Sequence, residues 1–90
     1  MKMKSIIFRK HIRAQDGRTL SLEYSLMTSS DDGAHADYGA AISCTDGQKT
    51  EYQEICNLTA IRARARALVE RLARGAVTPV TMRDVVMDWL

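Results

Sequence analysis

The chain has 90 residues, of which 46% are apolar and 27% charged, a composition typical of a globular domain and unlike that of disordered or collagenous chains. No apolar run approaches the ~20 residues that a membrane-spanning helix needs, and the apolar residues 6–8 are fewer than the ~7–15 of a signal peptide. We therefore expect one domain over residues 1–90, cytoplasmic and without membrane association.

The net charge of +2 hides a segregation along the chain. Residues 1–20 carry +5, residues 21–56 carry −6 and residues 57–90 carry +3, counted over Lys, Arg, Asp and Glu. A domain that binds polyanions is more often basic throughout, so this balance gives little support to nucleic-acid binding.

The first two thirds of the chain predict four strands. Residues 18–28 alternate apolar and polar side chains, the pattern of a strand with one buried and one solvated face. Asp16-Gly17 and Asp46-Gly47 are typical turn pairs, because glycine accepts the positive φ that tight turns require. The predicted strands are residues 5–13, 18–28, 36–45 and 49–56, with a polar loop, TSSDDGAHA, between the second and third.

Apolar patterning also predicts the strand register. Three-residue hairpin loops would place apolar side chains opposite each other, whereas two-residue loops would place them opposite polar ones. The predicted pairs are Leu26 with Phe8, Leu22 with Ile12, and Ile42 with Tyr52. The strand aromatics then point into one core: Phe8, Tyr24, Tyr38 and Tyr52. The opposite face is expected to be solvated, with Arg9, His11, Arg13, Glu23 and Glu51.

Two helices are predicted after the strands. The first has Asn57 or Thr59 as its N-cap and ends at Gly75. Its apolar stripe comprises Leu58, Ile61, Ala65, Leu68, Val69 and Leu72. The second has Thr78 as N-cap and Pro79 in the first helical position, with a buried stripe of Met82, Val85, Val86 and Trp89. The order ββββαα predicts an α+β fold, a four-stranded antiparallel meander followed by two C-terminal helices packed on one sheet face.

The C-terminal half resembles a known family. The stretches YGAAISCTDG, NLT and LVERLARGAVTPVTMRDVVMDWL are similar to short uncharacterised proteins of Firmicutes, a domain-of-unknown-function family. The matching residues are Tyr38, Gly39, Leu68, Val69, Leu72, Thr78, Pro79, Asp84, Val85, Val86, Asp88 and Leu90, with Trp89 at an aromatic position. The resemblance implies no activity, cofactor or catalytic residue. Family members usually carry Glu and Lys in the first helix, so it implies that the arginine run is particular to this chain.

Five arginines lie in AIRARARALVERLARG, residues 60–75. At ~100° per residue they spread over the whole non-core face of the helix, and Glu70 is spaced to pair with Arg66 and Arg74. We interpret them as a solvated helix surface. The alternative is a nucleic-acid-associated accessory protein whose phosphate contacts are Arg62, Arg66, Arg71 and Arg74.

The second helix is the leading candidate for partner binding. Two interpretations of its apolar side chains stay open. Met82, Val86 and Trp89 are simply core residues, or the helix has more apolar surface than one sheet face can cover. In the second case the candidate contact residues are Met87, Trp89, Leu90 and Arg83. We expect a non-catalytic protein-interaction or regulatory module that acts through its helical layer, with a protein partner or a second copy of the chain.

Other candidate sites are given structural interpretations. Asp31, Asp32, His35 and Asp37 lack the spacing of a calcium loop and read as a polar turn. Cys44 and Cys56 are predicted to be reduced core residues, too far apart for a disulfide. His11 is predicted to face Glu23 as a surface pair. We therefore predict no enzyme activity, no cofactor and no catalytic or metal-binding residue.

Overall fold

The computed structural model describes residues 2–31 and 35–90. Four antiparallel strands form one sheet in the order β1-β2-β3-β4, and two helices follow, so the predicted α+β fold is confirmed. The elements are β1 (Lys2–Arg13), β2 (Thr19–Asp31), β3 (His35–Asp46), β4 (Lys49–Thr59), α1 (Arg62–Arg74) and α2 (Met82–Trp89). The strands are longer than predicted, because pairs such as Ser29 with Asp37 continue the β2–β3 ladder into the segment expected to be a loop.

The main core lies between the two helices and one face of the sheet, which we call the helical face. Leu22, Tyr24 and Leu26 of β2 are buried against Leu68 and Leu72 of α1. The remaining buried members are Ala40, Ile42, Ala65, Val69, Ala73, Met82 and Val86. The predicted stripe of α1 is confirmed from Ala65 to Leu72. Leu58 lies on β4, half-buried against the core, and Ile61 precedes the helix and is 56% exposed.

The first hairpin has the predicted loop length but a different register. The Ala14 N–H donates to the Arg18 carbonyl at 2.8 Å, which leaves three residues in the loop, and Gly17 there has φ +89°. Phe8 lies opposite Tyr24, and not opposite Leu26 as predicted. The shift is two residues, so the side chains of β2 and those of β1 from Phe8 onward keep their predicted faces.

The second hairpin has a two-residue loop, so the prediction of three was wrong. Asp46 pairs with Lys49, and Tyr52 consequently lies opposite Ser43 instead of Ile42. A one-residue slip exchanges the two faces of a strand. Tyr52 therefore lies on the face opposite the helices, which we call the second face, and Glu51 lies opposite Cys44 on the helical face.

The second face is not fully solvated, contrary to prediction. Ser25, Met27 and Ala41 are buried there, each with at most 3% of its surface exposed. A bulge at Ile7 of β1 brings Ile7 and Phe8 both against the main core. The first residues of β1 consequently change face, and Lys4 and Ile6 lie opposite Met27 and Ser25 on the second face.

Gly39 marks a second irregularity, between β3 and β4. The register shifts between Tyr38 and Ala40, and Asn57 on the facing strand has φ +59°. A Cβ atom on Gly39 would lie 2.0 Å from the Ile55 carbonyl oxygen, so only glycine fits.

The helix ends differ from the predicted caps. The N-cap of α1 is Ile61, without a side-chain hydrogen bond, because β4 continues to Thr59. The helix ends before Gly75 as predicted, but the left-handed residue is Ala76, with φ +49°. The N-cap of α2 is Thr81, because residues 78–81 form a turn closed by the Thr81 N–H and the Thr78 carbonyl at 3.2 Å.

Candidate interaction surfaces

Helix α2 exposes an apolar stripe to solvent. Met82 and Val86 are buried, whereas 64% of Met87 and 66% of Leu90 is exposed. Helical spacing of three and four residues places Arg83, Met87 and Leu90 on one side of the helix, and we call these three residues the α2 stripe. Asp84 and Asp88 flank it, and both are exposed.

Trp89, the fourth predicted contact residue, lies between the two helices. It is half-buried against the main core, and the Arg64 guanidinium carbon lies 5.1 Å from its ring centroid. This cation–π contact joins the start of α1 to the end of α2. Trp89 therefore stabilises the helical layer, and the α2 stripe contains the exposed part of the predicted surface.

The arginines of α1 are exposed and carry no ion pair within the described residues. The predicted pairs of Glu70 with Arg66 and Arg74 do not form. The ion pairs recorded there are Lys2–Glu54, Arg9–Glu23, Arg18–Asp16 and Arg18–Asp46. The charge of Arg62, Arg66, Arg71 and Arg74 is thus left to solvent or to a ligand.

The fold brings the two basic segments of the sequence together. Lys10 of β1 donates a hydrogen bond to the Ala73 carbonyl oxygen near the end of α1, at 2.7 Å, across 63 residues of sequence. A lysine at a helix C-terminus also interacts favourably with the helix dipole. The basic strand β1 and the arginine-rich helix α1 therefore contact each other near the end of α1.

Two open grooves flank the last turns of α1. The first, of about 400 Å³, lies between β1 and α1, and its lining includes Phe8, Lys10, Ala73 and Arg74. The second, of about 600 Å³, lies on the side of α2, and its lining includes Arg71, Val77 and Val85. Arg74 and Glu70 line both grooves.

The second face carries a polar cluster that joins the two edge strands. The Lys2 ammonium of β1 donates to Oε2 of Glu54 on β4 at 2.5 Å, and the Lys4 ammonium lies 4.9 Å from the Tyr52 ring centroid. These contacts cross over β2 and β3, so the sheet is strongly curled at this end. We call Lys2, Lys4, Tyr52, Glu54 and Cys56 the clasp.

Glu54 is the centre of the clasp. It also accepts hydrogen bonds from the Tyr52 hydroxyl at 3.0 Å and the Cys56 thiol at 3.1 Å. Hydrogen bonds from Lys2, Cys56 and Tyr52 lower the pKa of Glu54 to about 2. Burial and the neighbouring carboxylate raise the pKa of Tyr52 to about 12 and also raise the pKa of Cys56.

Comparison with known proteins places the chain in a family. Residues 3–90 match the family described as "Family of unknown function (DUF6514)". The chain belongs to DUF6514. No curated protein and no solved structure matches it significantly. The resemblance predicted mainly from the last fifty residues therefore extends to a match from β1 to α2, whereas the Firmicutes origin stays a prediction.

The histidine and cysteine residues considered in the sequence of this DUF6514 chain make contacts with neighbouring side chains of the fold. Nδ1 of His11 lies 3.1 Å from the Ser21 hydroxyl, and Glu23 pairs with Arg9, so the predicted His11–Glu23 pair was wrong. The thiols of Cys44 and Cys56 are free, as predicted, but Cys56 lies in the clasp and not in the main core.

Two further predictions concern metals and membranes. Asp32 of the acidic segment lies outside the described residues. Within them, no three His, Cys, Asp or Glu side chains lie close enough together to hold a metal ion. No helix of the described chain is long and apolar enough to cross a membrane.

The clasp is the feature of this DUF6514 chain that the sequence analysis missed. The sequence does hint at it: Met27 of β2 and Ala41 of β3 are apolar, although strand alternation predicts that both positions face solvent. An apolar side chain at such positions indicates a second buried layer.

Proposed function

We propose that this DUF6514 chain is a non-catalytic cytoplasmic interaction module whose helical layer binds a second copy of the chain. The observation that carries the proposal is the exposure of Met87 and Leu90 on α2. Contiguous exposed apolar surface is typical of an association site.

Charge favours a second copy as the occupant. Arg83 lies within the α2 stripe, Asp84 and Asp88 lie beside it, and none of the three has an ion-pair partner in the described part of the chain. In a dimer with a twofold axis, the same surface of each copy lies in the interface, and a helix near the axis can pack antiparallel to its symmetry mate. Antiparallel packing of two α2 helices would then bring Arg83 of each copy near the aspartates of the other.

The two cysteines have no activated thiol. Burial raises the pKa of Cys44, and burial together with Glu54 raises that of Cys56. A raised pKa disfavours the thiolate, which is the nucleophilic form, and this is consistent with a non-catalytic module.

Sedimentation velocity over a wide concentration range tests self-association. We expect a monomer–dimer equilibrium for the parent chain and a monomer for Met87→Lys. Met3→Lys is the matched control, because Met3 is also 58% exposed but lies on β1. Arg83→Asp should weaken the dimer, and adding Asp88→Arg should restore it. A parent chain that stays monomeric at millimolar concentration would overturn the proposal, as would a dimer unaffected by Met87→Lys.

A second candidate function is association with nucleic acid through Arg62, Arg66, Arg71 and Arg74. The observation in its favour is that these arginines have no ion pairs in the described residues while α1 lies beside the basic strand β1. Binding that weakens steeply with salt is the expected signature. A fluorescence-anisotropy titration without salt-sensitive binding would exclude it.

A further inference from the structure

The groove between β1 and α1 combines an aromatic side chain with cations. The half-buried ring of Phe8 and Ala73 contribute its apolar lining, and Lys10 and Arg74 its positive charge, with Glu70 as the one acid that lines it. Arg9 also borders the groove, but its guanidinium is paired with Glu23 on the second face. Its volume of about 400 Å³ falls in the range of small-molecule sites, ~300–1,000 Å³.

The cations of this groove keep hydrogen-bonding capacity. Lys10 uses one of its three N–H groups on the Ala73 carbonyl, which leaves two for a ligand. Arg74 has no hydrogen bond or ion pair within the described residues, so all five of its guanidinium N–H groups are available.

The end of α1 does not repel an anion as an uncapped helix C-terminus would. The N–H groups of Gly75, Ala76 and Val77 donate to the carbonyls of Arg71, Ala73 and Leu72, respectively. The Ala73 carbonyl also accepts from Lys10. The partial negative charge of the helix end is therefore largely compensated before a ligand arrives.

We propose that this groove binds one nucleotide unit of single-stranded nucleic acid, with the base against Phe8 and the phosphate on Lys10 and Arg74. Base stacking on an aromatic ring, next to a cationic track for phosphates, is the usual construction of such sites. Arg66 and Arg62 continue the track at four-residue spacing from Glu70 toward the start of α1. This row favours a polymer over a single free nucleotide. The inference rests on the second candidate function and is independent of the α2 stripe.

Fluorescence anisotropy tests the site. The labelled ligands are 15-mers of dT and U and a DNA duplex. Free UMP and ATP serve as competitors, and polyglutamate serves as a polyanion without bases. We expect the single strands to bind more tightly than the duplex, with a Kd that rises steeply with salt. Duplex or polyglutamate binding as tight as that of the single strands would overturn the proposal. Free nucleotides that compete at the affinity of the oligonucleotides would also overturn it, because the proposal requires a polymer that extends along α1.

Variants distinguish binding in the groove from binding to arginines elsewhere on the helices. Arg74→Gln should weaken binding and reduce the salt slope by about 0.7, whereas the matched control Arg83→Gln on α2 should change neither. Phe8→Leu keeps an apolar side chain in the core and should weaken binding about tenfold through lost stacking. Thermal melts confirm that each variant is folded.

The outcomes distinguish failure of the site from failure of the function. Tight single-strand binding that survives both Arg74→Gln and Phe8→Leu but is lost in Arg62→Gln/Arg66→Gln overturns the groove and leaves the nucleic-acid function standing. No binding to any oligonucleotide overturns both.

Discussion

The hydroxyl of Tyr24 on β2 donates a hydrogen bond of 2.8 Å to the carbonyl oxygen of Val77, in the loop between α1 and α2. Tyr24 is fully buried, and burial raises its pKa to about 12, so it is a donor across the whole neutral range. This contact joins the loop between the two helices to the centre of the sheet, across 53 residues of sequence.

We predict that Tyr24→Phe lowers the free energy of unfolding by about 1–2 kcal/mol, because the Val77 carbonyl loses its partner in a partly buried place. Urea titration followed by far-UV circular dichroism measures the change. Tyr38→Phe is the matched control, since Tyr38 is half-buried and its hydroxyl has no hydrogen bond within the described residues. Equal losses in the two variants would contradict the prediction.

Gly39 is predicted to tolerate no side chain. In Gly39→Ala the new Cβ would collide with the Ile55 carbonyl oxygen, so the backbone of β3 or β4 must move, and we expect a loss of about 3 kcal/mol or more. Gly75→Ala is the control, because Gly75 has φ −87° and its nearest neighbours would lie 3.6 Å from a Cβ. That variant should stay within about 1 kcal/mol of the parent. Thermal unfolding of both variants tests the contrast.

The end of α1 offers a stabilising substitution. The N–H groups of Ala76 and Val77 close onto the carbonyls of Ala73 and Leu72, the hydrogen bonds of a Schellman motif, but the left-handed position is Ala76 and not a glycine. We predict that Ala76→Gly raises the free energy of unfolding by about 1 kcal/mol through relief of the positive φ. Ala67→Gly, the same change at an exposed position inside α1, should lower it by about 1 kcal/mol. Shifts of the same sign would contradict the interpretation.

The residues on the helical face of the sheet were predictable because their alternation along β2 does not depend on the exact strand register. Leu22, Tyr24 and Leu26 keep the same parity whether the first hairpin is shifted by two residues or not, so the core composition survives an error in register. The stripe of α1 was similarly overdetermined by its 3.6-residue period. The prediction that Ile61 belongs to this stripe was wrong because Ile61 precedes the first helical residue, where the helical period does not apply.

The second face was not predictable from parity alone. A single residue in the second hairpin loop decides whether Tyr52 or Glu51 points toward the helices, and the bulge at Ile7 reverses the faces of β1 at its start. The clasp then depends on curling of the sheet, which brings Lys2 and Glu54 together from the two edge strands. Neither the bulge nor the curl has a local signal in the sequence as strong as strand alternation.

The clasp makes a prediction about acid stability. The pKa of Glu54 is about 2 in the folded chain against an ordinary value of 4.5, because Lys2, Cys56 and Tyr52 all donate to the carboxylate. A carboxyl whose folded pKa is lowered stabilises the protein above its unfolded pKa. Its contribution is therefore fully present above about pH 4.5 and is lost as the pH falls through about 2.

We expect Glu54→Gln to lower the melting temperature at pH 6. The melting temperatures of variant and parent should converge as the pH falls toward 2, because protonation removes from the parent the stabilisation by the Glu54 carboxylate that the variant already lacks. Glu51→Gln is the matched control: Glu51 is an exposed residue of the same strand, without a hydrogen bond or ion pair to its side chain in the described chain. Melting curves between pH 6 and pH 2 measure the effect. A difference between Glu54→Gln and the parent that stays constant over this range would mean that the Lys2–Glu54 contact contributes nothing to the stability of the curled sheet.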